Sequence, residues 1–219
     1  MKTVSSFILV IFFNFCFGQD ADRIDNKICV KINPLNFIDP YGGYSYRLGA
    51  EFKIHDNVAG SIAYGRYFSY GNKKIDLKIN AFGYILLPEI KIYLNKTKLT
   101  TGRFLSLEFL HKKITYDYED SIKIGANPVY QKQYTISKNI SCLTVKYGDL
   151  KVYEKRFLFE WYVGIGVRFS NGYNTLTEQE SNGILTGENH GDLISDGQRA
   201  INYVSPNLIL GLKLGYSFK

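Results

Sequence analysis

Strict alternation of apolar and polar residues is the feature of this sequence that most constrains its fold. Between residues 43 and 54 (GYSYRLGAEFKI), aromatic or aliphatic residues occupy every second position, and small or charged residues occupy the others. A period of two is typical of a β-strand whose two faces differ chemically. No segment shows the apolar periodicity of an amphipathic helix. The eight predicted strands are 28–33, 43–54, 58–68, 77–94, 102–116, 137–147, 157–169 and 207–218.

The less apolar face of these strands decides which β fold they predict. A soluble sandwich fills that face with Lys, Glu, Thr and Gln, whereas this one is rich in Gly, Ala and Ser, with isolated charges of both signs. Small side chains fit the narrow interior of an eight-stranded barrel, and opposite charges can pair across it. The pattern therefore predicts an all-β fold, an eight-stranded antiparallel transmembrane β-barrel; the alternative is a soluble β-sandwich or a lipocalin-like barrel. The predicted interior charge network comprises Lys31, Arg47, Glu51, Lys53, Glu89, Lys91, Glu108, Lys146, Glu160, Arg168 and Lys213.

The N-terminal segment predicts export. Residues 1–18 combine a positive Lys2, an apolar stretch from Val4 to Phe17 and the small residues Cys16 and Gly18. This is typical of a secretory signal peptide cleaved after Gly18. The apolar stretch is shorter than the roughly 20 residues of a membrane-spanning helix. We therefore expect residues 19–219 to form one barrel domain in the outer membrane.

The connections between the predicted strands alternate in length. Those at 55–57, 95–101 and 148–156 are short, whereas those on the other side include the long segments 117–136 and 170–205. Short periplasmic turns and longer external loops are typical of outer-membrane barrels. We expect both termini to be periplasmic and the acidic loop 170–205 to be solvated and mobile. Because proline cannot donate to a strand ladder, we also expect a bulge or local irregularity at Pro88.

Several segments resemble a family of uncharacterised Gram-negative outer-membrane β-barrel proteins. The final PNLILGLKLGYSFK is similar to the terminal strand of such proteins, which ends on an aromatic residue, although Lys219 follows Phe218. PEIKIYLN at 88–95, VKYG at 145–148 and EWYVGIGVRF at 160–169 carry the rest of the resemblance. The resemblance implies an outer-membrane location and the barrel fold. The partners we expect are outer-membrane lipid and lipopolysaccharide, and the barrel-assembly machinery through the C-terminal strand. It transfers no catalytic residue.

The sequence contains few residues in patterns that indicate catalysis or metal binding. The histidines are His55, His111 and His190, without an HExxH motif, a CxxC motif or a histidine pair at ligand spacing, so we expect no metal and no cofactor. Cys29 and Cys142 are compatible with a disulfide or with two thiols. The four glutamates of the predicted network are also compatible with a glycosidase; they are Glu51, Glu89, Glu108 and Glu160. A structural charge network is favoured, with partners expected at Arg47, Lys53, Lys91 and Arg168.

His111 supports the alternative function, a lipid A-modifying outer-membrane hydrolase in which it acts as general base. Its same-face neighbours on the strand are Phe109 and Lys113, so no serine stands beside it along the chain.

The favoured function is non-enzymatic: a structural or surface-interaction role through the external loops 117–136 and 170–205, which would contact lipopolysaccharide or another surface component. The net charge of +7 does not indicate nucleic acid, because export is predicted and no nucleic-acid motif is present. The interior is too narrow for a diffusion pore, and the oligomeric state stays open.

Overall fold

The computed structural model describes residues 28–35, 45–67, 79–94, 101–125, 127–154, 156–184 and 202–218. Within these ranges the chain forms eight strands and one short helix, α1 (Glu178–Asn182), which lies between the last two strands. The predicted signal peptide and most of the expected connections at 34–42, 69–76 and 95–101 lie outside the described residues. The strands are β1 (Ile28–Ile32), β2 (Ser45–His55), β3 (Val58–Tyr67), β4 (Ile79–Tyr93), β5 (Gly102–Ile122), β6 (Tyr130–Tyr153), β7 (Phe157–Asn174) and β8 (Tyr203–Phe218).

The eight strands form a closed antiparallel barrel. Each strand pairs with its neighbour in sequence, and β1 pairs with β8 to close the ring, with Ile28 opposite Phe218. Closure gives every strand a partner on each side over part of its length, which removes the two free edges that an open sheet would have. The predicted eight-stranded barrel is therefore confirmed, and the sandwich alternative is wrong. The first residue of β1 and the last of β8 lie at the same end of the barrel, which we call the terminal end.

The distribution of side chains is inverted relative to a soluble barrel. Outward-facing Leu210 and Leu208 are 79% and 76% exposed, whereas inward-facing Lys91 and Glu160 are fully buried. A lipocalin-like barrel keeps its apolar side chains inside and its charges in water. The alternation found in the sequence is thus realised with the apolar face outward and the small and charged face inward.

Two strands extend far beyond their predicted ends. Strand β5 has 21 residues and β6 has 24, which corrects the expectation of a loop over 117–136. Residues 117–122 and 130–136 are paired strand, from Asp117 opposite Thr135 to Ile122 opposite Tyr130. This extension is stabilised by a buried cluster that includes Tyr116, Tyr134 and Ile136. Acidic residues are interspersed among the apolar ones here, so the alternation was not recognised in the sequence.

The segment after β7 packs against the extended β5–β6 hairpin. Thr177 caps α1, accepting from the backbone N–H of Glu180, whose side chain reaches back to the backbone N–H of Thr177. The ammonium of Lys132 on β6 donates to Glu180 at 2.5 Å, and Lys123 donates its backbone N–H to the carbonyl of Gly183. The expectation of a mobile loop over 170–205 is therefore wrong up to residue 184 and again from Tyr203, where β8 begins, while residues 185–201 lie outside the described ranges.

The strand pairing at Pro88 differs from the predicted bulge. The register of β4 with β5 is unchanged on either side of Pro88, so the expected bulge is absent there; the pairs with β5 merely skip Leu87 and Pro88. One missing N–H interrupts pairing without inserting a residue.

Cys29 and Cys142 are buried thiols and do not form a disulfide. No helix in the described ranges is long and apolar enough to cross a membrane.

The docking of α1 is expected to depend on acid pH. The hydrogen bond from Lys132 and the backbone N–H of Thr177 lower the pKa of Glu180 to about 2, from an ordinary value of 4.5. A carboxylate with a lowered pKa stabilises the folded form above its ordinary pKa, and this contribution is lost as the pH falls towards 2. We predict that the amide NMR signals of Thr177 and Lys132 are nearly constant from pH 7 to about 4 and shift below that, with a midpoint near pH 2.

Glu180→Gln is the matched variant for this titration, because it keeps the shape of the side chain and removes the charge. Its Thr177 and Lys132 signals should lack the acid transition. A transition in the variant that equals that of the parent protein would contradict the assignment to Glu180.

Candidate functional site

The barrel lumen begins, at the terminal end, with an apolar cap. Tyr93, Phe104, Leu150 and Leu158 are almost fully buried and pack as one cluster near the short turns. The rings of Tyr93 and Phe104 lie 5.8 Å apart in a tilted arrangement. The cap closes this end of the lumen with side chains, as expected for an eight-stranded barrel.

Above the cap lies a cluster of alternating lysine and glutamate side chains, which we call the lumen cluster. Its members are Lys31, Glu51, Glu89, Lys91, Glu108, Lys146, Glu160 and Lys213. Four ammonium groups face four carboxylates, so the cluster as a whole is neutral. Because an uncompensated charge in a protein interior costs several kcal/mol, this balance is a condition for folding.

Glu160 is the centre of one half of the lumen cluster. Its carboxylate accepts from Lys31 at 2.5 Å and from Lys91 at 2.7 Å, and Lys213 lies 3.4 Å away. Glu51 accepts from the same Lys31 and Lys91, each at 2.7 Å, and from the hydroxyl of Tyr93 at 2.9 Å. The cap and the cluster are thus joined through Tyr93.

Glu89 is the centre of the other half. It accepts from Lys146 at 3.1 Å and from Lys213 at 2.9 Å, and the hydroxyls of Ser106 and Ser61 donate to it at 2.7 Å and 3.2 Å. Lys146 also pairs with Glu108. These multiple donors leave little capacity on the Glu89 carboxylate for another ligand.

Aromatic rings complete the surroundings of the lysines. The ammonium groups of Lys146 and Lys213 lie 4.5 Å and 5.0 Å from the ring centre of Tyr162, and that of Lys91 lies 4.6 Å from Phe104. Rings at this distance stabilise a desolvated cation. Tyr162 extends across the lumen because position 211 is glycine; a Cβ there would overlap the phenol ring.

The structure separates three of the predicted network residues from the lumen cluster. Lys53 lies at the turn of the terminal end and pairs with Asp56 at 3.2 Å, next to a register shift between β2 and β3. Arg47 and Arg168 lie beyond the cluster, towards the far end. Of the four expected partners, Lys91 is the one with an ion pair to a glutamate among the described contacts, and Lys31, Lys146 and Lys213 supply the other ion pairs. The alternation predicts the face of each side chain but not its height in the barrel.

Glycosidase chemistry does not suit this geometry. The four carboxylates are buried, and each is occupied by at least one lysine. A catalytic acid and a nucleophile must both reach the scissile bond of a sugar. The arrangement favours a structural role, in which the cluster joins strands across the lumen.

The sequence analysis missed a contact of His111. The register of β5 and β6 places Ser141 directly opposite it, and His111 Nδ1 lies 3.4 Å from Ser141 Oγ on the outward face. The ring of Tyr84 on β4 is 6.1 Å from the imidazole. A search along β5 alone could not find Ser141, because the two residues meet only through strand pairing. The described contacts of His111 include no carboxylate that would complete a triad.

A cavity of about 500 Å³ lies between the lumen cluster and the far end of the barrel. Arg47, Lys112 and Arg168 line it, together with Asn33 and Asn207. Lys112 and the two asparagines were not among the predicted network residues. Within the described residues, no group of three or more His, Cys, Asp or Glu side chains is arranged to hold a metal ion.

No family model matches the chain, and no curated protein matches it either. Among solved structures, the N-terminal β-barrel domain of Pseudomonas aeruginosa OprF is similar, with 12% identity and a TM-score of 0.40 over 88% of this chain and 98% of that one. Similarity at this level carries no argument about function. The barrel is established by its own strand pairing, and the family resemblance stays a prediction.

Loss of one lumen lysine is expected to destabilise the whole barrel. Lys91→Met removes a partner shared by Glu51 and Glu160 and leaves buried carboxylates under-compensated, which typically costs about 3–5 kcal/mol. The free energy of unfolding is measured by urea titration of the refolded protein, with the folded fraction read from unheated gels. Lys151→Met, at an exposed position of β6, is the control and should change little.

A second variant tests whether the loss is specific to the pair. Adding Glu160→Gln to Lys91→Met should cost less than the sum of the two single variants, because contacting residues are not additive. A Lys91→Met protein as stable as the Lys151→Met control would show that the cluster does not hold the barrel together.

Proposed function

We propose that this protein is a non-enzymatic outer-membrane β-barrel with a structural and surface-interaction role. The observation that carries the proposal is the outward apolar face: large aliphatic and aromatic side chains cover the exterior on all eight strands. A water-soluble monomer rarely exposes so continuous an apolar surface. Hydrocarbon tolerates a closed barrel, because every strand is hydrogen-bonded on both edges.

Aromatic side chains near the two ends of the barrel support a membrane setting. At the terminal end, Tyr216 lies 5.6 Å from Phe157 and 5.2 Å from Phe218, and Tyr147 packs edge-on to Trp161. Towards the far end, Tyr46, Tyr64 and Tyr84 are exposed on neighbouring strands. Two aromatic girdles around an apolar band are typical of outer-membrane barrels, where the rings lie at the level of the head groups.

The outward face near the far end supports contact with anionic lipid. Arg66 on β3 pairs with Tyr84 on β4, which in turn pairs with Lys113 on β5. Arg66 and Lys113 are both exposed, so two cations flank one aromatic ring at this rim. Phosphate groups of lipopolysaccharide would bind here, while the extended β5–β6 hairpin and α1 would present a folded surface beyond the membrane.

In this proposal both termini face the periplasm, because the long β5–β6 hairpin lies at the opposite end of the barrel and is assigned to the outside. The C-terminal strand β8 closes the barrel against β1 and would be the segment that the barrel-assembly machinery recognises. The apolar cap and the lumen cluster block the lumen, so the proposed role does not include a diffusion pore.

A lipid A-modifying hydrolase is the second candidate, favoured by the His111–Ser141 contact at the outward face. In that mechanism His111 would accept the proton of the Ser141 hydroxyl as its oxygen attacks an ester carbonyl of the lipid. The C–O bond of the ester would break, the alcohol would leave with that proton, and water would then hydrolyse the acyl–serine to release the fatty acid. Mass spectrometry of lipid A from cells with and without the gene separates the two functions. Under our proposal the acyl chains are unchanged, and they stay unchanged in His111→Ala cells. An acyl-chain difference that His111→Ala abolishes would establish the hydrolase.

The membrane proposal predicts different costs for two otherwise similar substitutions. Leu210→Lys puts a charge in the middle of the apolar band and should lower the free energy of unfolding in lipid vesicles by about 2–4 kcal/mol. Val129→Lys, an exposed apolar position in the turn between β5 and β6, should have little effect. In water both positions would accept lysine equally well.

The same proteins are tested in cells by fractionation. The unmodified protein should sediment with the outer membrane and migrate faster on SDS gels when it is not heated. Recovery from the soluble periplasmic fraction, together with equal stability of the two lysine variants, would defeat the membrane proposal.

A further inference from the structure

Four polar side chains form a compact group on the outward face of β5 and β6, which we call the outer quartet. His111 is directly opposite Ser141, and Lys113 is directly opposite Asn139. Residues two positions apart share a face of a strand, so the two pairs are adjacent. Because paired Cβ atoms lie about 5 Å apart and the two pairs are about 7 Å apart along the strand, all four side chains are within reach of one phosphate group.

The outer quartet interrupts the apolar surface of the barrel. On the neighbouring strands, Leu86 of β4 is paired with His111, and Phe169 of β7 is paired with Ser141. Both flanking side chains are exposed. A polar pair beside hydrocarbon is costly unless another polar group compensates for it. A membrane setting therefore favours a polar partner for the quartet at this edge of the apolar band.

An apolar track continues from the outer quartet towards the middle of the barrel. Phe109 is paired with Leu143, and Leu107 is paired with Val145. All four side chains are exposed on the outward face. A polar group at the rim, followed by an apolar track along the same two strands, matches the shape of a lipid. Its head group would lie at the rim, and its acyl chain would follow the strands.

The quartet supplies hydrogen-bond donors to such a head group. Ser141 Oγ lies 3.4 Å from Nδ1 of His111. When the hydroxyl donates to Nδ1, the ring proton is on Nε2, which has no partner among the described contacts. Lys113 is exposed, and Asn139 opposite it is half-buried. An ammonium, an amide and an imidazole N–H are therefore neighbours on one surface.

The charge at this rim matches a phosphate monoester. Arg66 and Lys113 lie on the strands on either side of Tyr84, and neither makes an ion pair with a described residue. The next carboxylate outward along β5, that of Asp117, accepts hydrogen bonds from β4 and β6. A phosphate monoester carries about −1.5 to −2 charges at pH 7, so two cations balance it. A zwitterionic head group brings its own cation and does not need both.

We propose that the outer quartet binds the phosphate monoester of a single lipid molecule, whose acyl chain packs on the apolar track. Lys113, Asn139 and the Nε2–H of His111 donate to the phosphate oxygens, and Arg66 adds the second positive charge. Ser141 holds the imidazole in place. The inference rests on the proposed membrane function and gives it a lipid partner of defined chemistry. The His111–Ser141 pair is then a binding element, and no bond of the lipid is broken.

The test is native mass spectrometry of the full-length mature barrel in detergent, with dioleoyl phosphatidic acid as the probe. We expect one molecule to bind saturably, and dioleoyl phosphatidylcholine to bind about tenfold more weakly or worse. Lys113→Gln should weaken the binding of phosphatidic acid about tenfold or more, because a hydrogen bond between charged groups is lost. His111→Phe should also weaken it. Lys123→Gln is the matched control: it removes a lysine from the exposed turn after β5 and should leave the affinity unchanged.

The outcomes separate this site from non-specific lipid uptake and from catalysis. Equal affinity for the two lipids, an equal loss in Lys123→Gln, or no saturable binding of phosphatidic acid would each overturn the inference. A lyso-lipid in the same spectrum that His111→Phe abolishes would also overturn it, in favour of the hydrolase. Retention of the fast-migrating form on unheated gels verifies that each variant is folded.

Failure of this inference is distinguishable from failure of the membrane proposal. A protein that fractionates with the outer membrane but does not discriminate between the two lipids would lack this site and keep its proposed location. Recovery in the soluble periplasmic fraction would remove both the location and the site.

Discussion

Neutralisation of charge inside the barrel lumen is the constraint on which the rest of the structure depends. All eight strands contribute to it: β3 supplies Ser61, and the other seven supply the lysines and glutamates of the lumen cluster. A one-residue slip of any strand would move its charge to the apolar exterior and an apolar side chain into the cluster. The ion pairs therefore specify the register of the whole barrel, at a desolvation cost that only complete pairing offsets.

The lumen has three levels with different chemistry, and this order links the fold to the proposed functions. The apolar cap closes the terminal end, the neutral cluster joins the strands, and Arg47, Lys112 and Arg168 line the cavity beyond it. The first two levels block passage through the barrel. The third level combines free volume, charge and apolar surface, and the surface role is assigned to the extended hairpin beyond it.

Much of the fold follows from the sequence, because a period of two reports directly which face each residue occupies. Strand number, the inward position of Glu160 and the outward position of Leu210 were all predictable. The level of each residue along the barrel axis was not predictable. Lys53 shares the inward face with Glu51, yet it pairs with Asp56 at the turn, because the stagger between strands is a property of the assembled barrel. Contacts between neighbouring strands, such as that of His111 with Ser141, could not be predicted from the sequence for the same reason. The hairpin beyond Tyr116 was missed because its acidic residues mask the buried tyrosines.

The central claim is that the outward face of the barrel contacts hydrocarbon, and the single tryptophan of the chain tests it directly. Trp161 faces outward on β7, beside Tyr147 and opposite Leu212 on β8. Because Trp161 belongs to the aromatic girdle at the terminal end, the measurement is the quenching of its fluorescence in vesicles by lipids brominated at the top of their acyl chains, next to the head groups, and by aqueous iodide. Our account predicts strong quenching by brominated lipid and weak quenching by iodide. Strong quenching by iodide with none by brominated lipid would contradict it.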